Sequence, residues 1–233
     1  MKAVIIAGGL GTRLQPYTTF IPKPMLPLGE KPLLEHMIEW LIRNKITDII
    51  LCVSYLRRVI MDYFEDGSRF GADIRYVEAQ RPLATAGQLG TARNMVDGTF
   101  VCLYGDSLFD FDLQDMISGH RSNGPMVTIG THPYKTRIRY GVIRSDESGR
   151  VVGWDEKPEI SADINTGCYI MEPDIFEYIP RDVPSGMDAV IRDAISDGRQ
   201  INTFSVGSTF IDIGDQRSYQ SANQKFIDKL GEI

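Results

Sequence analysis

The chain has 233 residues, 42% hydrophobic and 24% charged, a length suited to one elaborated domain. A net charge of −6 sets it against a nucleic-acid protein, which carries a basic stripe. The ordinary composition excludes disorder, collagen and coiled coil as the main class.

Ala3 to Ala7 reads as a buried strand. Pro32 to Lys45 follows with Leu33, Leu34, Met37, Ile38, Leu41 and Ile42 at helical spacing, and Pro32 suits a first helical position. Asp48 to Ser54 is a second strand, Leu56 to Asp66 a helix, Ile74 to Val77 a short strand, Thr85 to Val96 a helix and Phe100 to Tyr104 another buried strand. Apolar strands alternating with helices predict a mostly parallel sheet covered on both faces. After Asp112 come short strands, Met126 to Thr131, Gly141 to Arg144, Val151 to Trp154 and Cys168 to Met171, which predict mixed or antiparallel additions. Ser185 with Asp188 resembles a capping box opening a helix through Ser196. Ile201 to Val206 is a late strand. Asp215 to Leu230 is a terminal helix with Tyr219, Ala222, Phe226 and Leu230 on one face. No linker or repeat interrupts the chain, so 1–233 is read as one domain.

Cys52, Cys102 and Cys168 sit in apolar runs, and no CxxC exists. Buried thiols in a reducing compartment follow. His36, His120 and His132 are scattered, which argues against zinc. The first apolar run is too short for a signal peptide, and none approaches the ~18 residues of a membrane span. A cytoplasmic protein without a membrane partner is expected.

The strand Ala3 to Ala7 runs straight into Gly8-Gly9-Leu10-Gly11-Thr12-Arg13-Leu14. Such a turn exposes backbone N–H groups that cradle phosphate. It fits neither the dinucleotide fingerprint, because Leu14 stands at the third glycine, nor the Walker loop, because Gly-Lys-Ser/Thr is absent. On these residues alone a ligand loop and a plain tight turn both stand. Lys23 lies between Pro22 and Pro24, which predicts a stiff, extended tether for a positioned cation. An incidental surface lysine is the alternative.

Asp106 follows the strand Phe100 to Tyr104, at the sheet edge where open α/β folds bind ligands. Asp212 lies between Ile211 and Ile213, where a carboxylate needs a cation or hydrogen bonds. Two carboxylates plus phosphate oxygens match how Mg²⁺ is held. A turn acid and a cap acid are the structural alternatives. Asp110-Phe111-Asp112 is a weak DxD and reads as the start of a helix.

The span Gly8 to Met25, GGLGTRLQPYTTFIPKPM, resembles the signature of the sugar-1-phosphate nucleotidyltransferases, with later motifs recurring in order. Its texture looks most like the mannose-1-phosphate guanylyltransferase branch. The resemblance implies a Rossmann-like α/β fold with a mixed, mostly parallel sheet. It implies nucleotide contacts from Ala7, Gly8, Gly9, Gly11, Thr12, Arg13, Thr85 and Gly87. Arg13, Lys23, Asp106 and Asp212 become catalytic, the two acids holding Mg²⁺. Gly141, Glu156, Asn165 and Gly167 take the sugar side, and Lys157 its phosphate. The implied reaction joins an NTP, GTP in this branch, to mannose 1-phosphate. A uridylyl-, thymidylyl- or cytidylyltransferase and a non-catalytic sensor are the alternatives.

Ala84 replaces the family's usual glycine, Gln88 a usual apolar residue, Tyr104 a usual asparagine, Phe210 a usual tryptophan and Asp215 a usual threonine. These departures bear on base and sugar choice. Base contacts are expected from Pro82 to Ala84 or Glu78, with Gln88 reading a guanine O6. No carboxyl-terminal β-helix domain is expected within 1–233, and a homo-oligomer is left open.

Overall fold

The computed structural model describes residues 1–207 and 210–230, with side chains to 227 in the last helix. The Leu230 side chain assigned to the apolar face lies outside the described residues. The elements in order are β1 (Lys2–Ile6), β2 (Pro27–Leu28), β3 (Lys31–Pro32), α1 (Leu33–Arg43), β4 (Asp48–Val53), α2 (Arg57–Phe64), β5 (Asp73–Glu78), α3 (Ala84–Thr91), β6 (Phe100–Tyr104), β7 (Ser107–Leu108), α4 (Leu113–Asn123), β8 (Val127–Arg137), β9 (Val142–Ser145), β10 (Val151–Asp155), β11 (Glu159–Met171), α5 (Met187–Ser196), β12 (Ile201–Ser205), β13 (Ile211–Asp212) and α6 (Gln216–Leu230).

Seven strands form one sheet in the order β12-β8-β11-β6-β1-β4-β5. All neighbours are parallel except β11, which runs antiparallel to both β6 and β8. The apolar strands are explained by burial on two sides. Ala3 and Ile5 of β1 face a core shared with α1, α2, α4 and α6, while Val4 and Ile6 face a core shared with α3 and α5. One sheet serves both cores, so the chain is a single α/β domain. Among the described residues no helix is long and apolar enough to cross a membrane.

Four local expectations are corrected. Pro32 is the N-cap of α1, extended at ψ 149°, not its first helical residue. The Ser185–Asp188 capping box does not form. Met187 N–H donates instead to Thr85 Oγ1 at 2.9 Å, because the start of α5 packs on α3 and its orphan donor finds a partner there. β8 and β11 reach well beyond their apolar halves, with Glu159 opposite Arg137 at the far end. Those polar halves pair with each other on an exposed arm, where no burial writes hydrophobicity into the sequence. The short ladders β2–β3 and β7–β13 carry no periodic signal at all. Asp112 caps α4, accepting from Gln114 N–H at 2.8 Å, as the DxD reading expected.

The three cysteines are free and buried. Burial pushes the Cys52 thiol up to about 12. Asn44 joins α1 to α4: its amide donates to Trp40 O at 2.8 Å and its Oδ1 accepts from Leu113 N–H at 2.9 Å. Asn44→Ala leaves that buried N–H unpaired and is expected to cost about 1–3 kcal/mol. Urea unfolding, with an unchanged m value, checks it.

Candidate active site

Two glycines of the first loop, Gly8 and Gly11, cannot take a Cβ without a clash, whereas Gly9 has open space around it. Ala7 N–H donates to Cys52 O at 2.8 Å and Gly8 N–H to Gln88 Oε1 at 2.9 Å. A Cβ at Gly8 would lie 2.5 Å from that oxygen. Gly11 has φ +62°, and a Cβ there would meet Thr18 Cγ2 at 2.9 Å. Thr18 is buried and donates to Gly11 O at 2.8 Å, clamping the loop. A 3₁₀ turn over Thr12–Leu14 then presents an exposed Arg13, which makes no ion pair or hydrogen bond among the described residues. From the other side, α6 ties down the chain that follows: Tyr219 OH donates to Pro27 O and Asn223 Oδ1 accepts from Gly29 N–H.

Lys23 is not on an extended tether. It opens a 3₁₀ turn over Lys23–Met25, with Met25 N–H bonded to Pro22 O at 2.8 Å. The turn buries the lysine to 8% exposure and aims Nζ at Asp106 Oδ2, 2.6 Å away. Asp106 follows β6, and Asp212 is brought beside it by the β7–β13 ladder, where Asp212 opposes Ser107 and Ile213 N–H donates to Asp106 O. Burial, aided by the charge of Asp106 and opposed by Lys23 and Arg13, raises the Asp212 carboxyl above its ordinary value. The four charged groups therefore share one electrostatic neighbourhood.

Two adjoining hollows of about 270 and 510 Å³ form the cleft at this sheet edge, and both are lined by Gly9, Lys23, Ala84, Gln88 and Asp106. Gly8, Gly11, Thr12 and Arg13 line the larger one, Ala7, Thr85 and Tyr104 the smaller. Gly87 lines neither. Its N–H is taken by Ser185 O, and a Cβ would meet Val183 O at 2.9 Å, so its glycine serves packing against the approach to α5. Glu78 lines neither hollow and pairs with Arg57. Ala84 adopts φ +55°, the left-handed conformation that a glycine takes without strain.

The sugar-side residues divide into two groups. Asn165 and Gly167 lie at the bulge of β11. Asn165 Nδ2 donates to Tyr169 OH at 2.6 Å and its Oδ1 accepts from Gly167 N–H. Tyr169 OH donates in turn to Tyr104 OH at 3.0 Å, linking the bulge to the cleft. Gly167 has φ +78° and rests on the Tyr104 ring. Gly141, Glu156 and Lys157 gather on the exposed arm around Trp154, whose Nε1 donates to Glu156 Oε2. None of these three lines the cleft. Lys157 has φ +48°, a strained backbone of the kind that clusters at functional sites. Tyr169 and Thr18 were not picked out from sequence as site residues, and Tyr104 was singled out only as standing where the family usually has asparagine. Their only signal was a polar group within an apolar or signature run.

The Nucleotidyl transferase profile matches residues 2–229. A protein of Synechocystis named UTP–glucose-1-phosphate uridylyltransferase is 40% identical over 77% of this chain and 51% of its own length. One of Oryza sativa, named probable mannose-1-phosphate guanylyltransferase 1, is 31% identical over 99% of this chain and 66% of its own. This chain thus spans about half to two thirds of the length of these relatives. The structure of HddC from Yersinia pseudotuberculosis, complexed with GMP-PN, matches at TM-score 0.76 and 27% identity over 97% of this chain and 99% of that one. By a profile spanning nearly its whole length, the chain belongs to the nucleotidyl transferase family.

Proposed function

We propose that this chain joins a nucleoside triphosphate to a sugar 1-phosphate, giving an NDP-sugar and pyrophosphate, with GTP and mannose 1-phosphate as the leading pair. The observation that carries it is the convergence of Arg13, Lys23 and Asp106 on a cleft beside the Gly8–Gly11 loop, with Asp212, which lines neither hollow, set beside Asp106. The relative named mannose-1-phosphate guanylyltransferase and the HddC structure holding GMP-PN favour the guanine nucleotide. The 40% identical relative named uridylyltransferase supports a second reading, UTP with glucose 1-phosphate.

A sugar-phosphate oxygen attacks the α-phosphorus in line, and the bond from that phosphorus to the pyrophosphate oxygen breaks. No covalent nucleophile is needed, so the protein positions the reactants and stabilises charge. Arg13 faces the departing pyrophosphate. Lys23 neutralises charge developing on the transferred phosphoryl group. Lys157 offsets repulsion as the second anion arrives. Among the described residues no three acids, histidines or cysteines gather as a complete metal site. Two adjacent carboxylates with an open side fit Mg²⁺ held jointly with substrate phosphates. Such an ion supplies Lewis-acid stabilisation of phosphate oxygens.

Pyrophosphate release is the readout for a panel of NTPs against several sugar 1-phosphates, and GTP with mannose 1-phosphate is expected to lead. UTP, dTTP or CTP ahead of GTP by about tenfold in kcat/KM, the scale a base-reading site easily exceeds, overturns the guanylyl assignment. Asp106→Asn and Asp212→Asn are each expected to abolish most turnover in Mg²⁺ buffer. Full activity in either removes that residue from the metal site. Lys23→Ala is expected to lower kcat by about 10² to 10³. Lys157→Ala is expected to raise the KM for sugar 1-phosphate instead. The reverse pattern exchanges the two lysines' assignments.

A further inference from the structure

Gln88 is a polar side chain in an apolar place. On α3 it stands between Ala86 and Leu89, both fully buried, and it is itself only 5% exposed. Gly8 N–H is a donor, so the amide atom facing it is Oε1, and the 2.9 Å bond fixes which way the amide points. The NH₂ end therefore faces away from the loop. It has no hydrogen-bond partner among the described residues, and it is not one of the sealed, unpaired polar atoms. Gln88 lines both hollows of the cleft, so the small part of it that remains open is a donor directed into that space. The absence of a Cβ at Gly8 is what lets the amide oxygen come this close to the loop.

A buried group that can only donate selects an acceptor, and a donor brought against it is left unpaired. Around Gln88 the cleft carries its uncharged lining, Pro82, Ala84 and Pro184, whereas Arg13, Lys23 and Asp106 supply the charged part. A flat heterocycle fits the former and phosphates the latter. From this geometry we infer that Gln88 selects bases with a keto oxygen, the O6 of guanine or the O4 of uracil and thymine. It rejects the amino group that adenine and cytosine carry at the same position. The inference rests on the nucleotide reading above and names its class: GTP, UTP and dTTP as one group, ATP and CTP as the other. The Gly8 bond makes this choice structural, because turning the amide to present its oxygen would strand the loop's N–H.

The test is equilibrium binding of nucleoside triphosphates by calorimetry, without sugar phosphate, so that it gives an answer whether or not turnover occurs. Wild-type protein is expected to bind UTP about 10- to 100-fold more tightly than CTP, the factor set by one unpaired buried donor. GTP should exceed 2,6-diaminopurine riboside triphosphate, which carries an amino group in place of the keto oxygen and lacks the N1 proton, by a similar factor. Gln88→Glu keeps an acceptor for Gly8 N–H and replaces the exposed donor with an acceptor. Measured at alkaline pH, where the acid is ionised, it is expected to shrink or invert both ratios. Equal affinity within each wild-type pair overturns the inference. So does a uniform loss for all nucleotides in Gln88→Glu, which would place the donor on ribose or phosphate. Keto selectivity in binding without pyrophosphate release would uphold the inference while removing the transferase reading.

Discussion

The site depends on one ion pair, a buried lysine against a half-buried aspartate. Lys23 is a lysine at 8% exposure, and the 2.6 Å contact with Asp106 offsets the cost of taking its ammonium out of water. Removing Asp106 leaves the buried ammonium without its partner. The pair also has a mechanical consequence. It fastens the turn over Lys23–Met25 to the end of β6, where Gly105 N–H bonds Ile6 O and the missing Cβ admits Pro24. Asp106 then passes the constraint on, because its carbonyl accepts from Ile213 N–H and sets Asp212 beside it. Segments separated by nearly two hundred residues are held in one electrostatic neighbourhood by this sequence of contacts.

Helix α3 is the second organiser. Its inner face packs Ala86 and Leu89 on the sheet, Gln88 holds Gly8, and Thr85 caps α5. Its first residue, Ala84, sits in the left-handed region, where an L side chain costs roughly 1–2 kcal/mol. The strain persists because both flanks are fixed: Leu83 O accepts from Ser185 N–H, and Ala86 N–H donates to Ser185 O. Ala84 lies beside the cleft and Lys157 on the arm, while the other left-handed non-glycine residues among those described, Lys45, Leu56, Glu65 and Asp182, line neither hollow.

Much of the architecture was legible from hydrophobic texture. β1, β4 and β6 are buried on both faces, so they read as unbroken apolar runs, and α1 shows its stripe because one face alone meets the core. The outer halves of β8 and β11 were not legible, since their strand state comes from pairing with each other in the open. The same holds for β7 and β13, two residues each, which are nonetheless what joins the two acids. Legibility thus failed where structure is held by partners distant in the chain.

For the site, the sequence by itself determined the inventory. The glycine loop, Arg13, Lys23, Asp106 and Asp212 are written as residue types at positions where burial or backbone freedom makes them costly without a role. Only the tertiary structure decided their use. It turned Lys23 onto Asp106, committed Gly87 to Ser185 and Glu78 to Arg57, and oriented the Gln88 amide so that its donor faces the cleft. The physical reason is that a hydrogen bond or ion pair has a direction and a partner. Both are set by which segments the sheet brings together, a quantity that no local pattern of residues contains.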